Sequence, residues 1–274
     1  MSRWRWQCRM LEITSFELRR RLRGTLYLSV SLLAYAGLVI GIFPSIKEAG
    51  ADIESFIEAL PPEIREGFVG DASTYTTIEG FLSAEMYQFV IILILGMYFA
   101  YAAASSIASE VDDDSIDVLL VHPISRTRFV IGKYLSLIPV MVIVNTVMFV
   151  GTWAAVEYIG EEIDLFGLAA MLALAIPYLL ACAALGLFAS VYADSPRRAQ
   201  TGGAGGVFGM FLVHTVTLNR DLEWLGDFTF ARYYDPSEIL VDAEYDWSGM
   251  ALLVAAAIIL VILSAEYFER KDIA

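Results

Sequence analysis

Apolar runs of about 20 residues recur along the chain, and no other feature constrains its fold as tightly. They stand at about 26–43, 86–108, 134–156, 166–192, 202–218 and 249–266. Runs of this length with few charges match the hydrocarbon thickness of a bilayer and are too long for membrane β-strands. In lipid a helix satisfies its own backbone hydrogen bonds. The expected fold class is therefore an all-α polytopic membrane protein with six transmembrane helices. Composition agrees: 58% of the 274 residues are hydrophobic, against roughly 45–50% in soluble domains. The whole chain, 1–274, reads as a single transmembrane domain with no room for a soluble catalytic one.

Charge sets the orientation. Residues 1–25 carry seven arginines, interleaved with Trp4, Trp6, Met10, Leu11, Phe16, Leu18 and Leu22. That mixture suits an amphipathic helix lying among lipid headgroups, or a simple basic anchor. Either reading puts the N-terminus in the cytoplasm. Six spans then make 1–25, 109–133, 193–201 and 267–274 cytoplasmic. These segments hold 14 of the 18 basic residues, as the excess of cytoplasmic Lys and Arg requires. The C-terminus is then cytoplasmic too. The first run is too long for a signal-peptide core and lacks an A-x-A site, so it reads as a retained span and signal anchor. Pro44 is expected to close it, Pro139 to kink the third span and Pro177 the fourth.

The outer segments are acidic. Residues 45–85 hold nine acids and two bases, with SFIEAL and PEIREGF reading as short surface helices. The net charge of −14, with only three lysines, suits a protein bathed in concentrated salt, and also an ordinary solubility strategy. Nothing in it points to nucleic acid.

Catalytic patterns are missing. His122 and His214 are isolated, H-E-x-x-H and G-x-S-x-G are absent, and Cys8 and Cys182 are not placed to pair. His214 reads as a packing or interfacial residue. The span cores carry no Asp, Glu, Lys or Arg, which argues against a proton-coupled carrier. Asn145 is the most polar residue at mid-span. It reads as an interhelical hydrogen bond or as a contact to something in a transport pathway. Gly202/Gly206 and Gly205/Gly209 have the spacing of close helix packing. The chain lacks G-x-x-x-x-G-K-[ST], so any ATP must be bound by another subunit.

Between spans two and three stands SSIASEVDDDSIDVLLVHPISRTRFVIGK, residues 105–133. Asp114 or Ser115 can cap a helix that Pro123 stops by about Val121. On it Ile116, Leu119 and Leu120 share one face. Such a helix suits a partner's groove; a solvated turn would read the same way in composition. Ser125 can cap the next helix, whose first turns hold Arg126, Arg128 and Lys133, able to meet anionic headgroups or an acidic partner.

The order Glu110, Asp114-Ser115, Val118-Leu119-Leu120, Pro123, Ser125-Arg126 and Gly132-Lys133 resembles the signature of the membrane subunits of type-2 ABC (ATP-binding cassette) transporters. Asp-Ser stands where Gly-Thr is usual there. SFELRRRLRGTLYL, with Glu17, Arg20 and Arg21, is similar to that family's amphipathic N-terminal helix. LPPEIREGF with EGFLSAEMYQF looks like its first outer loop, and FTFARYYDPSEILVD like its segment before span six.

The resemblance implies a permease that pairs with a second permease chain and with ATP-binding subunits, mostly for export. Glu110, Ile116, Leu119, Leu120, Pro123, Arg126 and Lys133 would couple it to the ATPase. No cofactor is implied in this chain, ATP and Mg belonging to the partner. Two other readings remain: a membrane scaffold or sensor that moves nothing, and a membrane-embedded enzyme using Asn145, His214, Cys182 and scattered hydroxyls.

Overall fold

The computed structural model describes residues 2–48, 77–112, 126–193, 195–217 and 223–270, with side chains undescribed at 2–20, 110–112 and 223. All regular structure among them is helical. The first element, α1, is one helix over Ser2–Glu48. At 1.5 Å per residue it is about 70 Å long. The boundary expected near residue 25 is absent: the arginine-rich segment and the first span are one rod. Arginine and leucine are good helix formers, and Gly24 alone does not stop them. Pro44 does not close the helix either. The last turn continues to Glu48, where Phe43 packs on Phe81 with ring centroids 5.3 Å apart and Lys47 pairs with Glu161 at 2.7 Å.

The second crossing begins eight residues before the expected start at 86. Thr77 is its N-cap, accepting from the Gly80 N–H at 3.2 Å. The crossing runs through α2 (Ile78–Leu82), a π-helix over Ser83–Leu95, and α3 (Gly96–Asp112). A π-helix pairs each N–H with the carbonyl five residues back. Within this one, Ile92 O also accepts from the Tyr178 hydroxyl at 2.8 Å.

The third crossing is α4 (Arg126–Leu135) followed by α5 (Leu137–Ile159), broken at Ser136. The helix is interrupted three residues before Pro139. The proline ring crowds the carbonyl four residues back, which belongs to Leu135, the last residue of α4. Ser136 closes the break by donating its hydroxyl to Lys133 O at 2.7 Å. Next come α6 (Leu165–Tyr192), which runs through Pro177, and α7 (Pro196–Thr217). The latter starts six residues before the expected span, because Pro196 takes the first helical position.

Two short 3₁₀ turns, Glu223–Phe228 and Phe230–Tyr233, and the one-turn α8 (Pro236–Leu240) lead into α9 (Trp247–Arg270). Ala231, Tyr234, Ile239 and Leu240 of this stretch join the bundle core.

Five of the described helical segments are long and apolar enough to cross a membrane: Arg21–Glu48, Ile78–Ser109, Arg126–Ile159, Leu165–Tyr192 and Trp247–Arg270. Helix α7, about 33 Å long, is not among them, since its five glycines together with Gln200 and His214 lower its hydropathy. In the bundle α6 is central, packed on α3, α7 and α9 and more lightly on α5, while α1 lies along α5.

Candidate functional site

The bundle has a basic end and an acidic end. Arg21, Arg126, Arg128, Lys133, Arg197, Arg198 and Arg270 belong to the first, with α3 ending and α4 beginning beside one another. Cross-links between helices hold this end. Arg21 Nη2 donates to Ala102 O at 3.5 Å, joining α1 to α3. Thr127 Oγ1 donates to Glu269 Oε2 at 3.0 Å, joining α4 to α9. Lys133 is only 3% exposed, and its ammonium lies 5.4 Å from the Phe129 ring centroid. A cation beside an aromatic face is attracted to the ring, and this contact lies at the head of the third crossing.

At the acidic end Lys47 Nζ donates to both Glu161 oxygens, at 2.7 and 2.8 Å. The Asp164 N–H donates to Glu79 Oε1 at 3.3 Å. Asp164 itself caps α6 by accepting from Phe166 and Gly167. Glu238 lies among Asp235, Glu244 and Asp246. Burial, then these three carboxylates, push its pKa up. Asp246 is held below its ordinary range by hydrogen bonds from the Ser248 hydroxyl and the Gly249 N–H.

Between the ends, buried hydroxyls tie the helices together. Tyr87 and Thr152 share a hydrogen bond at 2.7 Å. Tyr134 donates to Leu180 O at 2.8 Å and Tyr234 to Met171 O at 3.2 Å, and Tyr178 stacks on Tyr234 with centroids 5.7 Å apart. Ser190 Oγ accepts from the Ala108 N–H at 3.0 Å. Such bonds are common glue where the surrounding solvent is lipid.

Two helices approach closely at Gly186, where a Cβ would run into the carbonyl of Ala100. A Cβ on Gly203 would come 3.0 Å from Gly186 Cα. Of the glycines expected to pack, Gly206 meets the Leu185 side chain, Gly202 only just touches Ala189, and Gly205 and Gly209 face open space. The helical period turns the last two away from the contact that Gly203 makes.

Asn145 is 6% exposed. It forms no interhelical bond: its Nδ2 donates to Met141 O of the same helix at 2.8 Å, and its buried Oδ1 has no donor. It lines an open cleft of about 230 Å³ between α5 and α6, together with Thr146, Phe149, Leu172, Ala173 and Ile176.

Of the other residues singled out in the sequence, Ile116, Leu119, Leu120, Pro123 and His122 lie outside the described residues, as do SFIEAL and PEIREGF. Glu17, Arg20 and Glu110 sit in helices whose side chains there are not described. Arg21, Arg126 and Lys133 share the basic end; Asn145 is well inside the bundle. Cys182 is a buried free thiol. Among the described residues no three His, Cys, Asp or Glu side chains are grouped to hold a metal ion.

Long apolar helices packed around a central one, with charge confined to the two ends, define a multi-pass membrane protein. A family model described as "ABC-2 family transporter protein" matches residues 11–273. The chain belongs to that family, whose members are membrane permeases. A search of curated proteins finds no match to it.

Proposed function

We propose that the chain is the membrane-spanning subunit of an ATP-driven exporter, with six spans and both termini in the cytoplasm. The observation that carries this reading is the family match over 11–273. The gathering of basic residues at the end where α3 gives way to α4 supports the orientation. Helix α7 would be the additional span, held in the bundle through Gly203. A separate subunit binds ATP and Mg, and a second permease chain, identical or sister, completes the pathway. The cargo is apolar or amphipathic, in keeping with spans whose cores lack charge.

In this reading the ATPase engages residues 110–133. Glu110 and Arg126 flank the docking segment. Ile116, Leu119 and Leu120 fill a groove of the partner, with Pro123 ending their helix. Lys133 and the Thr127–Glu269 bond pass the push to α5 and α9. Glu17, Arg20 and Arg21 carry a second contact along α1. The test is to purify the tagged full chain from its host under gentle solubilisation. An ATP-binding cassette subunit should come with it and be lost from the double variant Leu119→Asp, Leu120→Asp. A well-folded chain that purifies alone would favour a scaffold.

A further inference from the structure

The stretch between α7 and α9 is folded back into the bundle. Tyr234 donates its hydroxyl to Met171 O and stacks on Tyr178, and Met171 is the seventh residue of α6, about 9 Å along it from Leu165. The 3₁₀ turn Glu223–Phe228 is fixed just before this anchor. Thr229 Oγ1 donates to Gly226 O and the Tyr233 hydroxyl to Asp227 O, both at 2.6 Å. On its other side a Cβ on Gly226 would lie 3.4 Å from Thr217 Oγ1, at the end of α7. The turn, braced from both sides, still leaves two large rings outside: Trp224 is 56% and Phe228 74% exposed, packed edge to face with centroids 6.3 Å apart. Two adjoining exposed aromatics form a contact surface, where single scattered ones would be ordinary.

We infer that this turn docks in the phospholipid headgroup layer of the leaflet at the acidic end, with the Trp224 and Phe228 rings seated where headgroups meet acyl chains. Indole combines a large apolar body with an N–H that stays near water, and such rings collect at that boundary. Continuity with the rest of this end supports a lipid occupant. Trp153 near the end of α5, Phe166 at the start of α6 and Trp247 at the start of α9 are also exposed there. Helices α5, α7 and α9 each pack on α6 but scarcely on one another among the described residues, so these rings are spread around the bundle. A second copy or a protein partner would cover one side of it, whereas lipid surrounds it. The inference depends on the chain's place in a membrane, and neither on which side is outside nor on ATP-driven transport.

The full chain is placed in phosphatidylcholine nanodiscs with Trp224 as its one tryptophan, after Trp4→Phe, Trp6→Phe, Trp153→Phe and Trp247→Phe. Nitroxides on lipid headgroups or upper acyl carbons should quench its fluorescence at least about twice as strongly as nitroxides at the acyl chain ends, given the depth of an interfacial side chain. Aqueous acrylamide should quench it several-fold less than a free indole. The unaltered chain gives a second reading that stands even if the four changes spoil folding. A phospholipid with a diazirine beside its headgroup should label residues 223–228, mapped by mass spectrometry, as well as Phe166 and Trp247. Acrylamide quenching as strong as that of a free indole, with no lipid labelling of the turn, would place the rings in water and overturn the inference. So would shielding from both acrylamide and lipid nitroxides, the mark of a protein cover, and so would dominant quenching from the chain ends.

Discussion

Gly186 of α6 lies directly against the Ala100 carbonyl of α3, with no room for a single methyl group between them. The first prediction follows from that contact. Gly186→Ala should destabilise the detergent-solubilised chain by about 1–3 kcal/mol, the usual cost of overpacking. Gly205→Ala, at a helical position facing open space, should be neutral or stabilise by up to about 1 kcal/mol. Thermal unfolding of both variants checks the contrast. Equal losses would mean that the two glycines serve backbone conformation rather than packing.

The Tyr87–Thr152 bond joins the π-helical stretch to α5. Tyr87→Phe should cost about 1 kcal/mol, with a coupling of roughly 0.5–1.5 kcal/mol to Thr152→Val in a double-mutant cycle. Additive losses would show that the two hydroxyls are satisfied independently.

The acidic end should respond to pH through Glu238. Its folded-state pKa is raised by burial and by Asp235, Glu244 and Asp246. Its stabilising contribution is therefore complete below the ordinary carboxylate value and is lost as pH rises through the raised one. Glu238→Gln should raise the melting temperature at pH 7–8 by about 1–2 °C, the exposed position limiting the size of the effect. The gain should vanish near pH 4. Asp246 has the opposite sign: its contribution is present at neutral pH and fades as pH falls through its depressed value. A Glu238→Gln variant with the same pH profile as the parent would contradict this.

Cysteine labelling separates five crossings from six. In a Cys8→Ser background, where Cys182 is buried, Tyr158→Cys should react with an impermeant maleimide in intact cells, Tyr158 being 91% exposed. Arg270→Cys should react only after permeabilisation. Reaction at both positions from outside would remove α7 from the count of spans and invert α9.

Helices that bury or expose whole apolar runs were legible from composition alone. Both α6 and α9 stand within a few residues of expectation, since Asp164 and Asp246 cap their starts visibly. Starts hidden in polar sequence were harder. Thr77 looks like any loop threonine until Ile78, Phe81 and Leu82 are seen buried, Phe81 against Phe43 of α1, and Pro196 in ADSPRRAQ reads equally as a loop breaker. The Gly186–Ala100 approach joins residues 86 apart, which spacing along one helix does not reveal. Asn145 was singled out by polarity, but its orphaned acceptor depends on where Met141 O lies. The Leu119–Leu120 segment falls outside the described residues, so the basic end is defined by its neighbours.

The unbroken α1 has a mechanical consequence. Leu33 sits on Gly151, where a Cβ would strike its side chain, and this seat divides the helix unequally. About 22 Å of rod lies beyond it toward Glu48 and about 46 Å toward Ser2. A tilt about that point swings the arginine-bearing arm roughly twice as far as the short one.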